Sequence, residues 1–434
     1  MENNDKAVQK VSIREKAVLY KNGEPANAIE LVQFNFENGD ECGFTIVARK
    51  DLYEIGDIAY FFQPDYCLSE NSLFADFIAP DGQPNKSRLG KQNRIRAIKF
   101  NFSLDEYTND PVYSVGILMP QNDVLDFLRS QENHEGSLSE RLGIFKYEEP
   151  EKSGSGMAAG DFPSFLYKTD EDNIFNQKKN VARVVEDGDV VVMTVKRDGS
   201  SWTSYCKKFN ELQGEYKLGV CSRSLEKKLE QKFASDYIDP EGNIFKKYYS
   251  QELKLTGWYN QDKEIFMTNE EILSSDFTAV MKEVKDTWVE LANKYNIIEK
   301  LPDYCKEHGI ELALRGEIIG QGLKGSGNKY NPDAKLPQQL VLFGVDDLST
   351  GAAQRLHYGD EFNLERVATD LGIPFTEIVA EFIPESFDDI IHRSNMIFAE
   401  YEAKGILIEG VVVRTKHNNK LSVKSMNLGY DAKK

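Results

Sequence analysis

The sequence predicts an α+β fold built from two units in series, a small β-barrel followed by a larger unit of antiparallel strands and flanking helices. Three observations support this prediction. The chain has 434 residues, which is more than one hydrophobic core usually organises. Short β-branched and aromatic segments fill residues 1–125, whereas longer strands and helical stretches follow. A stretch rich in Gly, Ser and Pro, residues 148–164, lies between them.

Short strands are predicted throughout residues 1–125. The strongest candidates are AIELVQFNF (28–36), CGFTIVAR (42–49), DIAYFFQ (57–63), NRIRAIKF (93–100) and VYSVGILM (112–119). Short strands at this spacing are typical of a small barrel or sandwich. Residues 123–143 are predicted to be helical in two pieces, because Ser137 and Glu140 can form a capping box before the second piece.

A second domain is predicted for residues 165–434, after a first domain at 1–147 and a linker at 148–164. Its strand candidates are the apolar segments 189–196, 201–208, 311–320, 338–346 and 405–414. FTAVMKEVKDTWVELANKY, residues 277–295, has apolar residues at i, i+3 and i+4, which predicts a helix that faces the core. The residues before it are charged, aromatic-rich and irregular, so we expect an insertion at about 226–285.

The net charge of −18 argues against a nucleic-acid partner, because nucleic acids favour a basic protein surface. One segment departs from this charge balance. KSRLGKQNRIRAIK, residues 86–99, carries six Lys and Arg residues and no acid. Two interpretations stay open: a solvated hairpin edge protected by its charge, or a surface that contacts phosphates.

Composition favours a soluble protein of the cytoplasm or another reducing intracellular compartment. No apolar run reaches the roughly 18 residues that span a bilayer, and the N-terminal residues lack the apolar core of a signal peptide. The five cysteines are scattered without a C-x-x-C pair, which favours free thiols over disulfides or a zinc site. Nothing suggests an oligomer, so a monomer is expected.

Lys196 ends an apolar strand candidate within VVVMTVKRDGSSWTSYC, residues 190–206. The turn residues Asp198 and Gly199 follow and suit a tight hairpin. Burial of a lysine favours its neutral amine, which is the nucleophilic form. A four-residue K-x-D-G match also arises by chance, and a lysine at a strand end often only extends its charge into solvent.

Four later segments each place one ionisable or aromatic residue in a strand context. They are LALRGEIIGQG (312–322) with Glu317, LVLFGVDDL (340–348) with Phe343, LIEGVVVRTK (407–416) with Glu409, and LSVKSMN (421–427) with Lys424. Unpaired buried charges are costly, so charges in several strands predict one shared polar site.

The ordered set K-x-D-G, R-G-E, an aromatic strand, E-G-V-V and S-x-K resembles the motifs of the covalent nucleotidyltransferases, which include DNA ligases, RNA ligases and mRNA capping enzymes. The resemblance covers about 230 residues. Within this superfamily the chain most resembles the nick-sealing RNA ligases typified by the Deinococcus enzyme. The barrel-like domain comes first, and the chain ends ten residues after Lys424. FPSFLYKTDEDNIFN (162–176) and GVCSRSLE (219–226) are also similar to segments of that family.

The resemblance implies an OB-like N-terminal barrel followed by a nucleotidyltransferase domain, in an ATP-dependent ligase that joins RNA 3′-OH and 5′-phosphate ends. Lys196 is then the residue that carries AMP, with Lys424 and Glu409 as further catalytic residues. Asp198, Glu317 and Glu409 are the implied ligands of Mg²⁺ or Mn²⁺. The implied ATP-binding set is Lys196, Asp198, Gly199, Arg223, Glu317, Phe343, Glu409 and Lys424.

The implied partner is nicked RNA or an RNA-containing duplex, and no membrane. The basic segment 86–99 gains a use as a grip on that duplex. Weaker candidates for RNA contacts are Arg94, Arg96, Arg315 and Lys416.

The chain also departs from the family pattern, although no departure removes a catalytic residue. Besides the insertion, the departing positions are Val195, Trp202 and Met426. ATP-dependent DNA ligases share the same motifs, so a DNA ligase is the main alternative. A capping guanylyltransferase and a binding module with a decayed catalytic domain are weaker alternatives.

Overall fold

A computed structural model of the chain describes residues 6–132, 135–147, 157–210, 215–251, 254–323 and 330–433. It confirms the predicted α+β class with antiparallel sheets. Residues 6–147, the N-terminal unit, contain the following elements: β1 (Val8–Lys21), β2 (Glu24–Phe36), β3 (Ile46–Arg49), β4 (Ile58–Phe62), β5 (Tyr66–Leu68), α1 (Ala75–Ile78), β6 (Ala97–Phe100), β7 (Val112–Val115), β8 (Ile117–Pro120), α2 (Gln121–Ser130), α3 (Leu138–Leu142) and β9 (Ile144–Lys146).

The N-terminal unit is built on a curved five-stranded sheet with the order β3-β2-β1-β4-β8. Register shifts in β1 let this long strand bend, as β-bulges do. The sheet nearly closes into a barrel where the Val115 N–H donates to the Thr45 carbonyl at 3.0 Å. The Phe34 and Phe61 rings pack inside it with centroids 4.7 Å apart. The two predicted helical pieces are α2 and α3, and α3 begins with the predicted capping box.

Residues 157–433 contain more strands and the longer helices. These are β10 (Ala158–Asp161), β11 (Asp172–Asn173), α4 (Lys178–Glu186), β12 (Val191–Lys196), β13 (Ser200–Asn210), β14 (Glu215–Cys221), β15 (Leu225–Lys227), β16 (Lys232–Ile238), β17 (Ile244–Ser250), β18 (Leu255–Asn260), β19 (Ile265–Met267), α5 (Asn269–Leu273), β20 (Thr278–Glu283), α6 (Thr287–Lys294), α7 (Ile297–His308), β21 (Leu312–Ile319), β22 (Gln339–Asp347), β23 (Gln354–Arg355), α8 (Leu364–Leu371), β24 (Ile378–Phe382), α9 (Phe387–Ala403), β25 (Gly410–Thr415), β26 (Ser422–Met426) and α10 (Leu428–Asp431).

Two sheets of this region hold the candidate site between them. One has the order β10-β15-β14-β13-β21-β22-β23, and the other has the order β11-β26-β25-β12-β24. On each sheet alternate residues pack outward against helices, as Leu314 and Leu342 do beside α7 and α8, and Val195 and Val411 do beside α4 and α9. Because side chains alternate along a strand, the residues between them point into the cleft.

The five predicted strands of the second domain are confirmed as β12, β13, β21, β22 and β25. The predicted linker differs from the structure in its second part. Residues 158–161 form strand β10, which pairs with β15 at the edge of the seven-stranded sheet. Residues 148–156 lie outside the described residues. The domain boundary itself stays a prediction.

The predicted helix over 277–295 is wrong in its first half. Thr278–Glu283 form β20, which pairs with β16, and the helix begins only at Thr287. The Asp286 carboxylate accepts from the Trp288 N–H at 3.0 Å and so caps α6. The apolar residues recur at a helical spacing, but pairing with β16 makes the first half of the segment a strand. The spacing could not reveal this, because it carries no information about distant partners.

A separate five-stranded sheet lies within residues 226–285, the segment predicted to be an insertion. Its strand order is β19-β18-β17-β16-β20, and α5 covers one face. We call residues 232–283 the inserted sheet.

The five cysteines are buried free thiols, as predicted. No helix in the described ranges combines the length and the apolar character that a membrane crossing requires.

Trp202, a departure from the family pattern, is completely buried. Its indole N–H donates to the Trp288 carbonyl at 3.0 Å, and the Trp288 indole donates to the Ser201 carbonyl at 2.9 Å. This reciprocal pair fastens β13 to α6 on the outer side of the sheet. The large side chain therefore fills the core and leaves the cleft open.

Replacing Trp202 with Ala removes this packing and the hydrogen bond from its indole to the Trp288 carbonyl. We expect the free energy of unfolding to fall by about 3–5 kcal/mol, measured by urea denaturation. Phe209→Ala on the same strand is the matched control, because Phe209 is 79% exposed. Equal stabilities of the two variants would contradict this account of the core.

Candidate active site

Lys196 and Glu409 meet at one end of two paired strands. β12 runs antiparallel to β25, with Lys196 opposite Gly410, and Glu409 immediately precedes that glycine. The Lys196 Nζ lies 2.5 Å from the Glu409 Oε2, and the two side chains are 27% and 6% exposed. The structure therefore brings together the predicted nucleophile and one predicted acidic partner from residues 213 positions apart.

Two motif glycines allow this close approach of strands. A Cβ at Gly199 would lie 2.2 Å from the Ile318 carbonyl oxygen, and one at Gly410 would lie 2.5 Å from the Ser425 carbonyl oxygen. Neither position tolerates a side chain without backbone movement. Gly199 was predicted as a nucleotide contact, and the structure gives it this packing role.

Glu317 lies on β21, opposite Ser201, and is partly buried on the cleft side. Its pKa is raised to about 8, mainly by burial and also by the nearby carboxylates of Glu409 and Asp198. Lys196 and Arg223 act in the opposite direction. The four predicted residues are thus close enough for each to influence the charge of Glu317.

Asp198 is buried and tied to the last helix. Its Oδ2 accepts a hydrogen bond from the Tyr430 hydroxyl at 2.6 Å, and its carbonyl accepts from the Asn331 side-chain amide at 2.7 Å. Burial, followed by the charge of Asp198, raises the pKa of Tyr430 far above its ordinary value. Tyr430 therefore stays a hydrogen-bond donor at any physiological pH.

Asp198, Glu317 and Glu409 match a hard divalent cation in chemistry, because all three are carboxylates. Their mutual repulsion, visible in the raised pKa of Glu317, is what a bound cation would relieve. Their present spacing does not form a closed site. Across the described ranges, no three His, Cys, Asp or Glu side chains converge as metal ligands. A cation would therefore need water or phosphate oxygens to complete its shell.

Lys424 lies on β26 opposite Val412, on the cleft face of the same sheet as Lys196. Its Nζ forms an ion pair with the Asp65 Oδ2 at 3.2 Å. Asp65 belongs to the N-terminal unit, so that unit reaches the candidate site directly. This contact could not be predicted from the sequence, because Asp65 lies in none of the motifs.

Phe343 lines a cavity of about 250 Å³ between the two sheets. Arg414 crosses the cavity wall, and its guanidinium donates to the Phe343 carbonyl at 3.0 Å and to Glu171 at 2.6 Å. Arg414 lies four residues beyond Gly410 on β25, which is about 13 Å along the strand. The cavity thus extends the cleft away from Lys196. Glu171 also lines the cavity and was not predicted from the sequence.

The segment that carries the candidate site residues matches a known protein family. The family model described as RNA ligase matches residues 189–426, which is more than half of the chain. The chain belongs to the RNA ligase family. It is therefore a polynucleotide ligase. No curated protein matches the sequence of this ligase significantly.

Solved structures of a Naegleria gruberi RNA ligase share the fold of this ligase. An apo variant matches with a TM-score of 0.62 at 19% identity, over 99% of this chain and 98% of that chain. A variant with ATP and Mn matches with a TM-score of 0.61 at 20% identity, over 98% of each chain. A variant with AMP and Mn matches with a TM-score of 0.61 at 19% identity, over 99% and 98%. At this identity the likeness establishes the fold.

Arg223 of the ligase lies near Glu317 and is held by Asp170. Its two terminal nitrogens donate to the two Asp170 carboxylate oxygens at 2.9 and 2.8 Å. This bidentate geometry fixes the guanidinium beside the cleft.

Two weaker RNA-contact candidates are paired within the ligase. Arg315 is only 1% exposed, and its guanidinium lies 2.7 Å from the Asp346 carboxylate. Its contact with RNA stays a prediction. Lys416 forms an ion pair with Glu381 at 2.6 Å near the far end of β25. Cross-strand partners of this kind cannot be read from one strand's own sequence.

The basic segment 86–99 divides into buried and exposed cations. Arg94 is buried against the Tyr147 ring and lies 3.5 Å from Asp431. Its contact with RNA stays a prediction. Arg96 is partly exposed and donates to the Arg88 carbonyl at 3.0 Å. The other cations, Lys86, Arg88, Lys91 and Lys99, are exposed.

The raised pKa of Glu317 predicts a pH-dependent stability. The folded state holds this proton up to about pH 8, whereas the unfolded chain releases it near the ordinary carboxyl value. The stabilisation is therefore complete below that ordinary value and is lost as pH rises through 8. Glu317→Gln should flatten the decline in unfolding free energy between pH 6 and 9.

Denaturation midpoints at pH 6, 7, 8 and 9 test this prediction. Glu400→Gln, at an exposed position on α9, is the control and should keep the pH dependence of the unchanged protein. If Glu317→Gln and Glu400→Gln give the same pH profile, Glu317 does not hold the proton.

Proposed function

We propose that the chain is an ATP-dependent RNA ligase that joins 3′-OH and 5′-phosphate RNA ends through an AMP carried on Lys196. The observation that carries the proposal is the pairing of Lys196 with Glu409 beside Glu317 and Asp198, in a chain of the RNA ligase family. The presence of ATP, AMP and Mn in the Naegleria neighbours supports the choice of nucleotide and metal.

The reaction has three steps, and each of them is a nucleophilic attack on a phosphorus atom. First the Lys196 amine attacks the α-phosphorus of ATP, a P–N bond forms, and the bond to the β-phosphate oxygen breaks to release pyrophosphate. The AMP then passes from Lys196 to an RNA 5′-phosphate. Finally a 3′-OH attacks that phosphate, loses its proton, and AMP leaves. Covalent storage of AMP separates ATP use from strand joining.

The surroundings of Lys196 differ from the expectation drawn from the sequence. Burial at the end of an apolar strand was expected to favour the neutral amine. In the structure Lys196 forms an ion pair with Glu409 and Lys424 forms one with Asp65. Ion pairing stabilises the charged ammonium, so the amine must leave Glu409 and lose a proton before it attacks.

The surrounding residues then take distinct roles. Lys424 reaches the α-phosphate, Phe343 stacks on adenine in the cavity it lines, and Arg223 contacts the ribose or an RNA phosphate. Glu317 touches the ribose hydroxyls. Catalysis of phosphoryl transfer depends mainly on positioning and charge stabilisation, which these residues supply.

Asp198, Glu317 and Glu409 would hold a divalent cation, with water completing its shell. When bound, such an ion neutralises phosphate charge and competes with Lys196 for the Glu409 carboxylate.

The substrate we propose is a nicked RNA duplex, as in the Deinococcus-type family, bound by a monomer. Exposed Lys86, Arg88, Lys91 and Lys99 give the N-terminal unit a basic surface suited to phosphates.

The direct test offers nicked duplexes with ribose or deoxyribose at the 3′-OH strand to the protein with ATP and Mg²⁺. We expect sealing of the ribose nick and loss of at least 1,000-fold in activity for Lys196→Ala, because the nucleophile is removed. Lys404→Ala, at the exposed residue that follows α9, is the matched control. Equal sealing by Lys196→Ala would overturn the mechanism, and preference for the deoxyribose nick would indicate a DNA ligase.

The Asp65–Lys424 ion pair must open when a phosphate approaches Lys424. Asp65→Asn should therefore lower the apparent KM for ATP in self-adenylylation by up to about fivefold, since exposed pairs contribute up to about 1 kcal/mol. Asp81→Asn is the matched control, because Asp81 pairs with Lys86 at 3.1 Å on the surface of the same unit. An unchanged or higher KM for Asp65→Asn is the contradicting result.

The basic surface predicts a salt-dependent contact with RNA. Charge reversal at Lys91 and Lys99 together should weaken nick binding and reduce the slope of log affinity against log salt by about 1–2, because each lost phosphate contact removes nearly one released counterion. Lys404→Glu is the control. An unchanged salt slope in the double variant excludes this segment from the RNA interface.

A further inference from the structure

The inserted sheet has no role in the chemistry above. It begins shortly after Arg223 on the chain and returns to α6, whose capping residue Asp286 lies 3.8 Å from Lys227. Lys227 lies on β15, directly after the turn that carries Arg223. Both ends of the inserted sheet therefore connect to the chain beside β15 of the seven-stranded sheet, near the candidate active site.

One face of the inserted sheet is covered. Phe245 and Trp258 pack there against Ile272 of α5 and are almost completely buried. The Tyr237 and Trp258 rings meet edge to face with centroids 4.6 Å apart. This face supplies the small core that holds the five strands together.

The opposite face is open and aromatic. Strand register places one row of side chains across it: Phe266, Tyr259, Lys246, Asp236 and Val280. Tyr248 lies on the same face, with its ring centroid 5.0 Å from that of Tyr259 and 6.4 Å from that of Phe266. Tyr248 is 48% exposed. Three neighbouring rings with free surface form a platform on which planar groups can stack.

Positive charge accompanies these rings. Lys246 lies in the row itself, and Lys282 lies two residues from Val280 on the same face. Both are exposed, and neither forms an ion pair with any residue that the structure describes. Asp236 is the acid in the row, and it accepts a hydrogen bond from Ser235. In a chain with a net charge of −18, two exposed lysines beside three neighbouring rings favour a partner with phosphates and planar bases.

We propose that the open face of the inserted sheet binds an unpaired stretch of the RNA substrate. Its bases stack on Tyr248, Tyr259 and Phe266, and its phosphates lie near Lys246 and Lys282. The proposal rests on the proposed function for the identity of the partner as RNA. It gives the ligase a site that selects ends flanked by single-stranded RNA, beyond the joint itself.

Fluorescence anisotropy with two labelled RNAs tests the proposal: a nicked duplex, and the same duplex with a single-stranded extension. Tyr248→Ala should weaken binding of the extended RNA by about five- to 100-fold, the range that stacking on one ring supports. Tyr249→Ala is the matched control, because the neighbouring residue points to the opposite face and is 56% exposed. Binding of the duplex without an extension should not change in either variant.

A charge variant supplies a second measurement. Lys246→Glu should reduce the salt slope for the extended RNA by about 0.7, the single-strand value for one phosphate contact. Equal affinity of Tyr248→Ala and Tyr249→Ala for the extended RNA overturns the proposal. So does a change in sedimentation of Tyr248→Ala without a change in RNA binding, since the face would then bind a second copy.

Self-adenylylation separates this proposal from the proposed function. Both tyrosine variants should form the AMP adduct as the unchanged protein does. Absence of the adduct in the unchanged protein would defeat the ligase mechanism, whereas the anisotropy result reports on the platform independently.

Discussion

The antiparallel pairing of β12 with β25 is the constraint on which the site depends. It sets Lys196 opposite Gly410 and leaves the Glu409 carboxylate 2.5 Å from the lysine amine. A one-residue slip would turn Lys196 toward the opposite face, because side chains alternate along a strand. Gly410 also lets β25 approach β26 closely, because a Cβ at this position would lie 2.5 Å from the Ser425 carbonyl oxygen. Backbone geometry thus decides where the proposed nucleophile and its carboxylate partner meet.

The N-terminal unit and the candidate active site share a set of polar contacts through α10. Tyr430 of this helix donates to Asp198 at 2.6 Å, and the next residue, Asp431, accepts from the Ala97 N–H at 2.8 Å. The Asp65–Lys424 ion pair adds a second connection. A shift of the N-terminal unit would therefore disturb both the K-x-D-G carboxylate and the lysine proposed to bind phosphate. The two units are linked energetically although their sequence patterns look independent.

The local part of the site could be predicted from the sequence, and the long-range part could not. Apolar strands and motif order located Lys196, Glu317 and Glu409, because those signals lie within single strands. The contacts of Lys424 with Asp65 and of Asp198 with Tyr430 join residues 359 and 232 positions apart, so no local pattern reports them. The burial of Arg94 and Arg315 likewise depends on distant partners, Asp431 and Asp346, so no local pattern indicates it. β20 was mistaken for helix because its pairing with β16 is likewise non-local.

Mass-spectrometric mapping of the residue that carries AMP tests the central claim most directly. The protein is incubated with ATP and Mg²⁺, digested, and its peptides are searched for one added AMP. The account predicts an acid-labile AMP on the peptide that contains Lys196, and none on the peptide that contains Lys424. AMP on Lys424 or on any other residue, or no AMP-bearing peptide, would contradict it.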